Sequence, residues 1–84
     1  MSTHRIEVHP AVSQTLLNLT KPTRRRLQHA IDGLAEQPRP QGTTELSGAP
    51  GMLRLQTGTH EVIYTISEDV ILIVDLALRS SPWQ

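Results

Sequence analysis

The dipeptide Gly58-Thr59 constrains the fold of this chain more than any other feature, because it separates two short segments in which apolar and polar residues alternate. These segments are 52–57 and 60–67, and alternation with a period of two is typical of β-strands. Glycine readily adopts the positive φ that opens a type II′ turn. The pattern therefore predicts a β-hairpin with a two-residue turn.

The predicted hairpin has one apolar and one mostly polar face. The apolar face carries Leu53, Leu55, Val62, Tyr64 and Ile66. On the other face, Gln56 is expected opposite Glu61, and Arg54 diagonally from Glu61. Side chains at such cross-strand distances interact. We therefore expect Arg54 and Glu61 to form a surface ion pair, and we expect Tyr64 to lie in the core with its hydroxyl satisfied at the sheet edge.

The rest of the chain supplies a strand, two helices and a final strand. Residues 4–8 alternate, residues 10–19 have helical spacing after a proline-opened start, and residues 27–35 have the clearest helical spacing. Residues 37–51 are rich in proline and glycine and are predicted to be a loop. Residues 70–78 are almost continuously apolar, as in a strand covered on both faces.

This order predicts an α+β fold in one domain over residues 1–84. An N-terminal strand is followed by an antiparallel helical hairpin and then by a three-stranded antiparallel meander. A chain of 84 residues is too short for a second domain.

Composition excludes several kinds of site. The chain has no cysteine, and its four histidines are scattered, so we expect no metal and no cofactor. No apolar run approaches the ~20 residues of a membrane span, and the N-terminus lacks a signal pattern, so we expect a cytoplasmic protein without a membrane partner.

Charge is unevenly distributed although the formal net charge is zero. Residues 1–39 contain six basic and three acidic residues, and residues 40–84 contain two basic and five acidic residues. The predicted helical half is therefore basic and the predicted meander is acidic. Since phosphate neutralisation supplies much of the affinity for RNA, this distribution argues against strong RNA binding by the sheet.

Residues 46–64 carry a family resemblance. They read Leu-Ser-Gly-Ala-Pro-Gly-Met-Leu-Arg, then Leu-Gln-Thr-Gly-Thr-His-Glu, and then Val-Ile-Tyr. The Leu-x-Gly-x-Pro-Gly-x-x-Arg opening and the Val-Ile-Tyr close, in this order of elements, resemble the RelE/ParE toxins of type II toxin–antitoxin systems. The resemblance implies the fold of that superfamily and a cognate antitoxin as partner, encoded by an adjacent gene.

The resemblance also implies a target. RelE-type members are metal-independent endoribonucleases that cleave mRNA in the ribosome, and ParE-type members inhibit DNA gyrase without enzymatic activity. If this chain resembles the RelE-type members in activity, we expect an mRNA endoribonuclease with a degenerate basic site. The alternatives are gyrase inhibition, or an inactive homologue that only binds its antitoxin.

Catalytic candidates come from the family's basic cluster on the open face of the sheet. By position these are Arg54, Glu61 and Arg79, of which Glu61 reverses the sign of the family's arginine. Gln56 stands where a second basic residue is expected, and Trp83 is the only aromatic residue near the C-terminus. RNA cleavage needs a base, an acid and a cation that stabilises the developing charge.

Further candidates could bind RNA or another target. Lys21, Arg24, Arg25 and Arg26 open the second predicted helix, either as a solvated face or as an interaction surface. His60 is either a solvated turn residue or an acid/base group. Trp83 is either an aromatic plug under the sheet or a stacking platform for a base.

Overall fold

The structure is a computed structural model that describes residues 3–79. Its elements, in chain order, are β1 Arg5–Val8, α1 Pro10–Leu17, α2 Lys21–Gly33, β2 Thr43–Glu45, β3 Leu53–Thr57, β4 His60–Ser67 and β5 Val70–Leu78. The α+β class and the order of the predicted elements are confirmed. Within the described residues, no helix is long and apolar enough to cross a membrane.

All five strands form one sheet with the spatial order β1-β5-β4-β3-β2. The N-terminal strand lies parallel to β5, and the other neighbours are antiparallel. β5 is therefore an inner strand with a partner on each side, as its apolar sequence indicated. The parallel pairing is possible because the helical segment separates β1 from the meander.

Strand β2 was not predicted, and the expectation of an uninterrupted loop over residues 37–51 is wrong at this point. Thr43 and Thr44 pair with Leu55 and Arg54 at the edge of the sheet. The prolines of the segment lie outside these three residues, so none of them removes a ladder hydrogen bond. Two β-branched threonines suit a short edge strand.

Each helix has a proline in its first turn, Pro10 in α1 and Pro22 in α2. In α1, the His9 ring accepts a hydrogen bond through Nδ1 from the amide of Ala11 at 3.1 Å, and Pro10 occupies the first position. Thr20 precedes α2, and its hydroxyl donates to the Thr23 hydroxyl rather than capping a backbone amide. Helix α1 ends two residues before its predicted limit.

The core lies between the helices and one face of the sheet. It contains buried side chains from α1 and α2, from Leu34 just after α2, and from the inward-facing positions of β3, β4 and β5: Val12, Leu16, Leu27, Ile31, Leu34, Leu53, Leu55, Val62, Tyr64, Ile71, Ile73 and Leu76. Because one side of the sheet is covered in this way, the side chains on the other side form a separate, open face. That face carries the predicted catalytic residues.

A bulge in β5 sets which of its residues reach the open face. Ile63 pairs with Asp75 and Tyr64 pairs with Ile73, which leaves Val74 as the extra residue. The extra residue reverses the alternation, so that Ile73 and Leu76 both point to the core. Asp75 is consequently placed on the open face, where it is exposed.

Candidate functional site

The candidate site lies on the open face of the sheet, around the β3–β4 hairpin. Gln56 lies opposite Glu61, and Arg54 lies opposite Ile63 and diagonally from Glu61. The predicted register is therefore confirmed at each of these positions. The two-residue turn is confirmed as well, with Gly58 at φ 62°.

Arg54 and Glu61 are brought together at the limit of an ion pair. Arg54 Nε lies 4.0 Å from Glu61 Oε1, with side-chain exposures of 35% for Arg54 and 14% for Glu61. The carboxylate is therefore more shielded than the expected surface pair. Burial of this kind strengthens the interaction between the two charges, because less water screens them.

The contact leaves hydrogen-bonding capacity unused. Arg54 Nε is shielded from solvent and makes no hydrogen bond with the described residues. An arginine side chain has five N–H donors in a fixed plane, a geometry that matches phosphate oxygens. The pair thus combines a cation that can bind a phosphate with a carboxylate that can accept a proton.

Arg79 lies beside this pair at the end of β5. Its backbone amide donates to the Thr59 carbonyl oxygen at 2.9 Å, which continues the ladder in which Glu61 pairs with Ala77. Its guanidinium Nη1 donates to the Gly58 carbonyl oxygen at 3.2 Å. The side chain is therefore held at the hairpin turn, and its backbone lies two residues beyond Ala77, the partner of Glu61.

His60 is buried, so the expectation of a solvated turn residue is wrong. It is the first residue of β4 and pairs with Thr57 on one side and Leu78 on the other. Its relative exposure is 8%, and its Nδ1 lies 2.9 Å from the Thr59 hydroxyl oxygen. The strand alternation explains this burial, because His60 shares the inward face with Val62 and Tyr64.

Lys21, Arg24 and Arg25 belong to α2, which packs on the side of the sheet opposite the open face. Lys21 and Arg25 are exposed and Arg24 is half-buried, all within the first turn and a half of the helix. The ion pairs found among residues 3–79 are Arg5–Glu7 and Arg54–Glu61, neither of which involves these side chains. Trp83 lies outside the described residues.

Sequence reasoning counted Arg26 among the cations that open the second helix but missed its contact with the hairpin turn. Its guanidinium lies against the hairpin turn, with Nη1 3.3 Å from the position that a Cβ on Gly58 would occupy. The available signal was helical spacing, because Arg26, Ala30 and Gly33 follow one another at i, i+4 and i+7. Ala30, one turn after Arg26, is partly buried against the core, so this stripe of α2 faces inward. In residues 3–79, no group of histidine, aspartate and glutamate side chains is arranged to hold a metal ion.

Comparison with known proteins finds similarity among solved structures. No protein-family model and no curated protein matches the chain. Among solved structures, it is similar to an archaeal RelE–RelB complex from Pyrococcus horikoshii, with 29% identity, a TM-score of 0.82 and coverage of 93% of this chain and 97% of that chain.

Two further structures share the fold at lower identity. The toxin–antitoxin complex RelBE2 from Mycobacterium tuberculosis is 15% identical, with a TM-score of 0.80 and coverage of 92% of this chain and 99% of that chain. The isolated RelE toxin from E. coli is 16% identical, with a TM-score of 0.76 and coverage of 95% of this chain and 89% of that chain.

Proposed function

We propose that this chain is a toxin of the RelE superfamily and the toxin component of a type II toxin–antitoxin pair, because its fold matches those of solved RelE structures. The partner that follows from this role is a cognate antitoxin. Solved relatives with this fold occur in complexes with such partners, including a RelE–RelB complex and RelBE2.

The finer proposal is that the toxin cleaves mRNA in the ribosome. The observation that carries it is the approach of Arg54 Nε to Glu61 Oε1 at 4.0 Å on the open face. Glu61 would accept the proton of an RNA 2′-hydroxyl, and Arg54 would stabilise the negative charge that develops on the phosphate. The 2′-oxygen then forms a bond to phosphorus, and the bond from phosphorus to the 5′-oxygen breaks, with water protonating the leaving oxygen.

The absence of a hydrogen bond between Arg54 and Glu61 supports this assignment. A tight, hydrogen-bonded ion pair would occupy the guanidinium, whereas the observed contact has no N–H···O hydrogen bond. Glu61 is held within reach of the cation on the adjacent strand, so both groups are positioned by the sheet and not by a loop. Reacting groups on rigid elements lower the entropy cost of reaching the transition state.

A second candidate function is toxicity by binding alone. An example is ParE-like inhibition of DNA gyrase. A related alternative is an inactive homologue that only binds the antitoxin. The Arg54–Glu61 pair can also be an argument for this function, because Glu61 neutralises Arg54 and repels a phosphate at short range. Asp75 adds another exposed carboxylate to the open face.

Expression of the chain without its antitoxin distinguishes these functions. Growth arrest with mRNA cut in phase with codons supports the nuclease, and growth arrest with intact mRNA and altered DNA supercoiling supports gyrase inhibition. Unaffected growth means that the chain is inactive.

The variant Glu61→Arg tests the mechanism more sharply. Loss of cleavage shows that the carboxylate works in the reaction, and increased cleavage shows that cations alone are needed and that Glu61 is inhibitory. Glu7→Arg is the matched control, since Glu7 is a carboxylate on β1 at the far edge of the same sheet. We expect this control to retain the activity of the unmodified chain.

A further inference from the structure

We propose that Arg26 and Arg79 form a phosphate-binding site at the β3–β4 turn, which holds the RNA backbone beside the Arg54–Glu61 pair. This inference rests on the proposed RNA target. It assigns a role to Arg26, which lies outside the family's basic cluster on the open face.

The first observation is that two guanidinium groups converge on one residue. Arg79 Nη1 donates to the Gly58 carbonyl oxygen at 3.2 Å, and Arg26 Nη1 lies 3.3 Å from the Cβ position of Gly58. With standard backbone dimensions, these two nitrogen atoms are at most about 10 Å apart. Rotations of two long side chains can bring both groups onto one phosphate or onto two successive phosphates.

The second observation is that, among residues 3–79, no carboxylate lies within 4.0 Å of either guanidinium. In the part of the chain that the structure describes, the ion pairs are Arg5–Glu7 and Arg54–Glu61, and neither Arg26 nor Arg79 takes part. Like charges that converge destabilise the free protein unless an anion binds between them. The hydrogen bond from Arg79 uses one N–H, which leaves other donors of that guanidinium for a phosphate.

The third observation concerns α2, which continues the basic surface away from the turn. Lys21, Arg24, Arg25 and Arg26 lie in its N-terminal half, and no acidic residue occupies its first turn. Cations at this end oppose the helix macrodipole, so the arrangement costs stability. Local conflicts of this kind are characteristic of functional surfaces.

The position of the turn links these charges to the candidate catalytic pair. Arg54 and Glu61 together carry no net charge, so they supply little affinity for a polyanion. Thr59, in the turn, lies two residues before Glu61. On the neighbouring strand, Ala77 is the partner of Glu61, and Arg79 lies two residues beyond Ala77. Two residues of strand span about 6.6 Å, a length that one or two nucleotides cover.

Binding of a non-cleavable RNA tests the site without requiring cleavage. The probe is a fluorescent single-stranded 2′-O-methyl RNA of about a dozen nucleotides, within the range that single-strand-binding proteins occupy. Its affinity for the full chain is measured by anisotropy between about 50 and 200 mM salt. The variants are Arg26→Ala, Arg79→Ala and their combination.

We expect each single variant to reduce the slope of log K against log salt by about 0.7, which corresponds to roughly fivefold weaker binding near 0.1 M salt. The double variant should lose about twice that slope. Arg26→Lys should keep most of the slope, because it retains the charge. Arg5→Ala is the matched control, since it removes one cation at the opposite end of β5 from Arg79, and it should change neither quantity.

Unchanged RNA affinity and slope in the double variant would overturn the proposal. So would a double variant that still binds this RNA but no longer binds a glutamate-rich peptide, because the site would then recognise an acidic protein. Circular dichroism of each variant shows that it is folded. Failure of this site is distinguishable from failure of the proposed function, because RNA binding that depends on Arg26 and Arg79 can occur in a chain that neither cleaves mRNA nor arrests growth.

Discussion

The phenol of Tyr64 donates a hydrogen bond to the carbonyl oxygen of Pro38 across 2.6 Å. Tyr64 is fully buried in β4, and Pro38 belongs to the segment that leads from α2 to β2. The bond therefore ties that segment to the centre of the core. It also satisfies the one polar atom of the largest fully buried side chain.

Removal of this hydroxyl should destabilise the fold without creating a large cavity. Tyr64→Phe keeps the ring and leaves the Pro38 carbonyl without its partner, so we expect a loss of about 1–2 kcal/mol in the free energy of unfolding. Urea denaturation followed by circular dichroism measures it. A variant as stable as the unmodified chain would mean that water replaces the phenol at no cost.

The same residue makes stability sensitive to alkaline pH. Burial raises the pKa of Tyr64 above its ordinary value, while the Thr43 hydroxyl and the charge of Arg39 act in the opposite direction. The folded state therefore keeps the phenolic proton at a pH where the unfolded state loses it. This contribution to stability is complete below about pH 10, the unfolded pKa, and decreases as pH rises towards the higher folded pKa.

The measurement is the free energy of unfolding at several pH values above and below that of an unperturbed phenol. Stability should decrease with increasing alkalinity in the unmodified chain. Tyr64→Phe serves as the control and should show a weaker decrease, since the titrating group is gone. Equal slopes for the two proteins would assign the effect to other groups.

Two glycines should respond to alanine with opposite signs. Gly58 has φ 62°, and an added Cβ would lie 3.3 Å from Arg26 Nη1, whereas nothing lies within 4 Å of a Cβ on Gly33. Gly58→Ala forces a side chain into the left-handed region and should cost about 1 kcal/mol. Gly33→Ala, at the end of α2, should increase stability by roughly 0.5 kcal/mol.

Thermal unfolding of both variants compares a strained position with an open one in the same chain. The difference in melting temperature should have opposite signs relative to the unmodified protein. A stabilising Gly58→Ala would show that the turn can adopt another geometry. A destabilising Gly33→Ala would show that α2 needs close contact at this point.

The sequence predicted the hairpin in detail because its turn and its alternation specify the same register. A two-residue turn at Gly58-Thr59 fixes which residues face each other, and the apolar residues then fix which face is buried. The placement of Arg54 diagonally from Glu61 followed from that geometry alone. Burial of Tyr64 and a partner for its hydroxyl were predicted on the same basis and are confirmed.

Other features depend on contacts that are distant in sequence. Strand β2 is three residues long and exists because the edge of β3 provides partners for it. The bulge at Val74 arises from pairing between β4 and β5, and an apolar run carries no sign of it. Arg26 reaches Gly58 only because α2 packs over the hairpin, so the approach of the two guanidinium groups could not be predicted from spacing along the chain.

The coupling between Arg54 and Glu61 can be measured by a double-mutant cycle. Arg54→Ala leaves the shielded Glu61 carboxylate without its counter-charge, whereas Glu61→Gln leaves the more exposed arginine unpaired. We therefore expect the arginine variant to lose more stability than the glutamate variant. The coupling energy should be between about 0.3 and 1 kcal/mol, as for partly screened pairs, and it should decrease as salt is added.

The cycle is obtained from urea denaturation of the unmodified chain, the two single variants and the double variant. A coupling energy of zero at low salt would show that the two charges are neighbours without a significant interaction. Arg54 would then be free to bind a phosphate at no cost to the fold.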